Sequence, residues 1–268
     1  MRGSGQEVSA GSPETGQNPE DSLLSATVII PARLGSTRLP RKALAEIVGI
    51  PMVVRVWQQA IKSRGVGEVI VATDDEEIRG VVAQAGGRAV LTNPAHTSGT
   101  DRVAEVAATL RSDVIVNVQG DLPLLDPSWV EAALDALEQG GRSDTAPAVM
   151  STLATSMAAG DEERPQVVKV VSDCEGNALY FSRQPIPSGE VACRKHIGLY
   201  AYRREFLQEF ASLAPTPLEQ SEKLEQLRVL EHGRKIRVAI VDSVESMVEV
   251  DTQEDLDRVR ILLGSSGG

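Results

Sequence analysis

Cysteine, histidine and aromatic side chains are all scarce in this chain. Its 268 residues include 2 cysteines (Cys174 and Cys193), 3 histidines and 3% aromatics. So few cysteines exclude a disulfide framework and a structural zinc site, and read as thiols in a reducing, cytoplasmic setting. So few histidines leave little for a histidine-built metal centre. No apolar run approaches the roughly 20 residues of a membrane span, so no membrane insertion is expected. Loop motifs are missing too. There is no Gly-x-x-x-x-Gly-Lys-Ser/Thr phosphate loop, and the first strand leads to one glycine rather than the three of a dinucleotide fingerprint. No Gly-x-Ser-x-Gly elbow supports Ser-His-Asp hydrolysis. Positive charge is in deficit. The formal net charge of −11 argues against a nucleic-acid partner, whereas a locally basic loop in an acidic chain suits capture of a small anion.

What is present is organised around Thr27 to Lys42. Thr27-Val-Ile-Ile30 is β-branched throughout and apolar enough for a buried strand, and Pro31 is expected to end it. Gly35, hydroxyls including Ser36, and the cations Arg33, Arg38, Arg41 and Lys42 follow. A buried parallel strand that empties into a cationic loop is where open α/β sheets bind phosphates. Residues 1–25, nearly devoid of large apolar side chains and lacking a signal-peptide core, read as a disordered extension outside the fold.

Along the rest of the chain, Pro51 opens a helix carrying Met52, Val53, Val56, Trp57, Ala60 and Ile61 at helical spacing. Strands follow at Glu68–Thr73, Ala89–Leu91 and Val114–Val118, separated by a helix behind Asp74-Asp75-Glu76-Glu77 and one capped by Thr100 or Asp101. Ser128-Trp-Val-Glu131 has the spacing of a capping box. This alternation predicts a mostly parallel sheet covered on both faces. Beyond about residue 145 a hairpin is expected across Val167–Ser182, with strands at His196–Tyr202 and Ile236–Val241 and helices at Arg204–Ser212, Glu219–His232 and from Thr252. The fold class is therefore α/β, a central mostly parallel sheet flanked by helices with a smaller mixed-sheet extension.

Asp121 lies just past the strand Val114–Val118, and Asp251 follows Val248-Glu-Val250; each could be a plain turn or cap residue. Together they suit Mg²⁺, which takes a couple of carboxylates with phosphate and water. His96-Thr-Ser-Gly-Thr-Asp-Arg102 sets hydroxyls and a glycine before a helix, where exposed N–H groups could hold an anion or a base edge. Arg183 and the pair Lys195-His196 are cationic groups at strand ends that could bind a carboxylate. Glu225 and Gln226, opposite Leu224, Leu227 and Leu230, read by spacing as solvated.

Taken in order, Ile-Ile-Pro-Ala-Arg-Leu-Gly-Ser-Thr-Arg-Leu-Pro-x-Lys, Val-Ala-Thr-Asp, His-x-Ser-Gly-Thr-Asp-Arg, Val-Asn-Val-Gln-Gly-Asp, Ala-Leu-Tyr-Phe-Ser-Arg, Lys-His-Ile-Gly-Leu-Tyr-Ala-Tyr, Lys-Leu-Glu-Gln-Leu-Arg and Val-Asp-Thr-x-Glu-Asp-Leu resemble the 3-deoxy-manno-octulosonate cytidylyltransferases, from about Thr27 to Leu263. The resemblance implies a Rossmann-like nucleotidyltransferase fold over residues 26–268, with a nucleotide-binding part to about 145 and a sugar-binding and dimerisation part over about 146–250. It implies transfer of CMP from CTP to 3-deoxy-D-manno-octulosonate (Kdo) with Mg²⁺, in lipopolysaccharide assembly, by a cytoplasmic homodimer. Arg33, Lys42, Asp121 and Asp251 would carry catalysis, the two aspartates holding the metal. Arg33, Ser36, Arg38, Lys42, Thr73, Asp74, Ser98, Gly99 and Arg102 would line the nucleotide side. Gln119, Arg183, His196, Glu225 and Gln226 would line the sugar side.

Three positions depart from the family pattern. Leu122 replaces the Glu of Gly-Asp-Glu-Pro, Arg41 replaces the glycine of Leu-Pro-Gly-Lys, and Arg164-Pro165-Gln166 replaces an Asn-Pro-Asn-like turn. Arg41 would add charge beside the phosphate loop. The Leu122 change keeps 8-amino-Kdo or another acidic sugar open as the substrate, and a nucleotide-binding homologue without catalysis is the rival from another class.

Overall fold

The computed structural model describes residues 25–36, 38–141, 146–189, 193–242 and 248–264. The disordered extension expected over 1–25 falls outside them except for Ser25, whose carbonyl accepts the Asp113 and Val114 N–H groups at 3.0 and 3.2 Å.

The chain runs β1 (Ala26–Ala32), β2 (Glu46–Ile47), β3 (Ile50–Pro51), α1 (Met52–Ala60), β4 (Val66–Thr73), α2 (Glu76–Gln84), β5 (Arg88–Leu91), α3 (Gly99–Ala107), β6 (Val114–Asn117) and α4 (Pro127–Gly140). It continues through β7 (Ala148–Thr155), β8 (Lys169–Ser172), β9 (Ala178–Ser182), β10 (Arg194–Arg203), α5 (Arg204–Ser212), α6 (Pro217–Glu222), α7 (Gln226–Glu231), β11 (Lys235–Ile240) and α8 (Gln253–Gly264). The main sheet has the order β11-β7-β10-β6-β1-β4-β5, with β8 and β9 branching from β10. β6, β1, β4 and β5 are mutually parallel, whereas β10 is antiparallel to both β6 and β7.

Alternation along β1 builds the two faces. Val28 and Ile30 pack with Val53 and Val56 of α1 and Val130 and Leu137 of α4. Ile29 packs on the opposite face with Val103 of α3, Phe206 of α5 and Leu227 of α7. Burial of each such side chain contributes roughly 1.5–3 kcal/mol. A third, smaller cluster joins Leu39, Ile47 and Met52 to Val248, Val250, Leu256 and Val259, tying α8 to the segment that follows β1.

Several local expectations are revised. Pro31 does not end β1, which continues to Ala32. The Val118 N–H donates to the Ile29 carbonyl, so the odd residues of β1 turn their backbone groups toward β6. The ladder with β6 stops at Ile29–Asn117, and the N–H that Pro31 lacks falls beyond it. The caps differ as well: Ser98 accepts from the Asp101 N–H and caps α3, and Asp126 rather than Ser128 caps α4. Glu131 is thereby free to take Arg64, whose Nη2 lies 2.6 Å away. The expected helix over Glu219–His232 is broken at Lys223, which has a φ of 55°, giving α6 and α7. β7 was not expected. It lies between β10 and β11 with both faces covered, so its Ala, Ser and Thr residues show no alternation.

Candidate active site

The carboxyl ends of β1, β4 and β6 share one edge of the sheet, where doubly wound sheets bind ligands. One cleft there is lined by Arg33, Ser36, Arg38 and Lys42 from the loop after β1, Ser98, Gly99 and Arg102 at the start of α3, Gln119 and Asp121 after β6, and Asp251. His96, Thr97, Gly35 and Gly120 also line it. His96 and Thr97 belong to the His96–Arg102 stretch read above as a possible anion or base-edge site, although neither was given a role of its own.

Lys42 is the hub. It sits in a single 3-10 turn, Lys42–Leu44, with Ala43 buried beneath. Its ammonium donates to Asp121 Oδ2 at 2.7 Å and to Asp251 Oδ1 at 3.1 Å. Burial acts to lower the Lys42 pKa, but the two carboxylates outweigh it, so the net shift is upward and the ammonium stays charged. Arg38 Nη2 lies 3.0 Å from Asp251 Oδ1. The Arg33 side chain makes no hydrogen bond or ion pair among the described residues and is exposed at the cleft. Gly120 lets the chain turn: a Cβ there would stand 2.9 Å from the Pro31 carbonyl oxygen. Asp251 reaches the site because Val248 and Val250 anchor in the third cluster and the Val250 N–H donates to the Asp121 carbonyl at 3.0 Å.

Thr73 and Asp74 do not line the cleft; Asp74 holds Arg102 directly, and Thr73 acts through Thr92, whose hydroxyl donates to the Thr73 carbonyl at 3.1 Å. Arg102 is 3% exposed, with Nη2 3.0 Å from Asp74 Oδ2 and Nη1 donating to the Thr92 hydroxyl. Arg41 is also directed elsewhere. With φ at 56° it occupies the left-handed region that favours glycine, and its guanidinium pairs with Glu77 of α2 rather than entering the cleft. Leu122 is 2% exposed and packs in the first core cluster.

The expected sugar side forms around a fork in the sheet. One edge of β10 pairs with β6 through Tyr200–Arg203 and with β8 through Arg194 and Lys195, so the two neighbours part around a bulge between Ile197 and Tyr200. Gln119 donates to Asn117 Oδ1 at 3.1 Å. Gln226 is buried, contrary to the solvated position its spacing suggested, and its Oε1 accepts from the Tyr200 hydroxyl at 3.3 Å. Among the described residues, the buried amide nitrogens of Asn117 and Gln226 have no acceptor. Glu225 accepts from the Thr100 hydroxyl at 2.6 Å, and desolvation raises its pKa. The guanidinium of Arg183 is spent on backbone carbonyls, chiefly that of Glu222 at 2.9 Å. His196 is not a cation. It is buried beside Phe181 and Tyr200, and desolvation pushes its pKa down to about 3.

Glu249 was missed altogether. Desolvation first, then the fields of Asp121 and Asp251, push its pKa up to about 7 against the pull of Lys195 and Lys42. Between two valines it reads as a solvated residue; the signal available was that alternation puts it on the same side as Asp251.

A parallel sheet whose carboxyl edge carries a cationic loop facing strand-end aspartates defines a nucleotidyltransferase-type fold and site. The sequence profile of the cytidylyltransferases matches residues 27–236. The 3-deoxy-manno-octulosonate cytidylyltransferase of Geotalea daltonii is 50% identical over 252 residues, covering 88% of this chain and 97% of that protein. That of Anaeromyxobacter sp. strain K is 50% identical over 245 residues, covering 89% and 97%. A solved CMP:2-keto-3-deoxy-manno-octonic acid synthetase complexed with CTP superposes with a TM-score of 0.83 at 42% identity, covering 90% of this chain and 99% of that one. A 4-diphosphocytidyl-2C-methyl-D-erythritol synthase from Anaerococcus prevotii, TM-score 0.62 at 14% identity, shares the fold. The chain belongs to the 3-deoxy-manno-octulosonate cytidylyltransferase family.

Proposed function

We propose that this protein transfers CMP from CTP to the anomeric hydroxyl of Kdo, releasing pyrophosphate, as a cytoplasmic homodimer supplying lipopolysaccharide assembly. The observation that carries the reading is the Lys42-centred cluster, with Arg33 and Arg38 beside it and the Asp121–Asp251 pair across it, in a chain 50% identical to proteins named for this activity. Phosphoryl-type transfer needs positioning and charge neutralisation more than covalent chemistry. Arg33, without a side-chain partner among the described residues, is available to the triphosphate, and Arg38 and Lys42 reach the same space. The start of α3 adds outward N–H groups behind Ser98 and Gly99 for the nucleotide. Arg102, held by Asp74 and Thr92, keeps that wall in place.

Asp121 and Asp251 fit a magnesium ion, since both already direct a carboxylate oxygen at one cationic atom and offer the hard donors Mg²⁺ prefers. When bound, Mg²⁺ would neutralise phosphate charge and lower the cost of ionising the sugar hydroxyl. Leu122 lies in the core, so it carries no argument for an 8-amino sugar. Coupled pyrophosphate release with CTP, Kdo and Mg²⁺ tests the proposal. Asp121→Asn should lose at least about 100-fold in kcat while melting cooperatively; undiminished turnover would remove Asp121 from the machinery.

A further inference from the structure

One hydrogen bond joins the nucleotide wall of the cleft to the start of α7. Thr100, in the first turn of α3, is 7% exposed and donates its hydroxyl to Glu225 Oε2 at 2.6 Å, across 125 residues of chain. Glu225 stands immediately before α7. The next residue, Gln226, accepts from the Tyr200 hydroxyl at 3.3 Å, and Tyr200 stands in register with Asn117 across the β10–β6 ladder. Asn117 in turn accepts from Gln119 at 3.1 Å. Gln119 returns the path to α3, its Oε1 lying 3.8 Å from where a Cβ on Gly99 would stand. These contacts close a ring that borders the cleft at Gly99 and Gln119.

The ring is incomplete by itself. Asn117 and Gln226 are 0% and 3% exposed, and among the described residues their amide nitrogens have no acceptor. A buried amide left this way is costly unless oxygen atoms from outside the chain complete it. A sugar acid brings such oxygens in its carboxylate and hydroxyls. Glu225 is the complementary acceptor. Thr100 holds its Oε2, and among the described residues its Oε1 makes no hydrogen bond. A carboxylate fixed by one oxygen keeps the other at a set place, which is how a binding site selects one hydroxyl among several.

We propose that Thr100 is a positioning residue for the acceptor sugar acid: its hydroxyl seats Glu225, whose second oxygen accepts from a sugar hydroxyl. This rests on the reading of the protein as a sugar-acid cytidylyltransferase. Steady-state kinetics with Kdo at saturating CTP test it. Thr100→Val, which keeps the shape and removes the donor, should lower kcat/KM for Kdo about tenfold and leave KM for CTP unchanged. Thr100→Ser should restore most of that loss. Glu225→Ala should lose at least as much, and Thr100→Val added to it should cost nothing further. Losses that multiply in the double variant overturn the proposal, because Thr100 would then act independently of Glu225. So does an unchanged kcat/KM for Kdo in Thr100→Val, even in a protein that melts lower, since the hydrogen bond would then serve the fold alone. Failure of the wild-type protein to use Kdo at all would instead overturn the functional reading beneath it.

Discussion

Protonation of His196 should govern part of the acid sensitivity of this fold. The ring is 8% exposed, edge-on to Phe181 at 5.0 Å and 5.6 Å from Tyr200. The Thr152 hydroxyl donates to the Leu199 carbonyl at 2.9 Å, which leaves its oxygen to accept from His196 Nε2 at 2.9 Å. The network thus assigns a neutral ring protonated on Nε2. Burial lowers its pKa to about 3, against 6.5 in the unfolded chain. Between those values the unfolded chain binds a proton that the folded one refuses, so stability is fully present above 6.5 and is lost as pH falls toward 3. At about 1.4 kcal/mol per tenfold change in proton affinity, the whole window spans roughly 5 kcal/mol, of which about 2 kcal/mol is lost by pH 5. Urea unfolding at pH 7 and pH 5 isolates the effect when wild type is compared with His196→Phe, which keeps the packing and removes the titration. Wild type should lose about 2 kcal/mol more than the variant over that interval. Equal losses in the two proteins would show that the ring is not held neutral by burial.

Three further outcomes are expected. Arg41→Gly should melt at or above wild type, because relief of a left-handed non-glycine residue, about 1–2 kcal/mol, outweighs an exposed ion pair of about 0–1 kcal/mol; a clear fall in melting temperature would show that the Glu77 contact anchors the loop. Gly120→Ala should cost about 1–3 kcal/mol and depress turnover, since its Cβ would press on the Pro31 carbonyl at 2.9 Å; a variant with normal melting and activity would refute the close approach. Lys169 is fully buried, its ammonium donating to the carbonyls of Arg164 at 2.8 Å and Arg183 at 3.0 Å. Lys169→Met, which leaves both carbonyls without that donor, should lose about 1–3 kcal/mol in denaturant unfolding, and an unchanged midpoint would contradict the bridging role.

The strand–loop unit at the start of the chain was legible because both signals are local: a β-branched run, then cations around a glycine. Asp121 and Asp251 were each legible as strand-end acids, but their convergence on Lys42 depends on the third apolar cluster, which joins distant segments. Strand β7 was hidden because a strand covered on both faces loses its alternation. Burial of Gln226 was hidden for another reason: a continuous helix puts it on the wet face, and the break at Lys223 turns α7 so that it packs under Tyr200. His196 looked like a cation beside Lys195 because sequence gives charge type, while desolvation comes from tertiary packing. The departures Arg41 and Leu122 looked like changes to the site; one side chain turns to α2 and the other into the core.

Phosphorus NMR of the protein with CTP, Kdo and Mg²⁺ tests the central claim most directly. The account predicts that the triphosphate signals give way to pyrophosphate and a single sugar phosphodiester resonance in equal amounts. Persistence of intact CTP, or pyrophosphate with free CMP and no sugar-linked product, would contradict it.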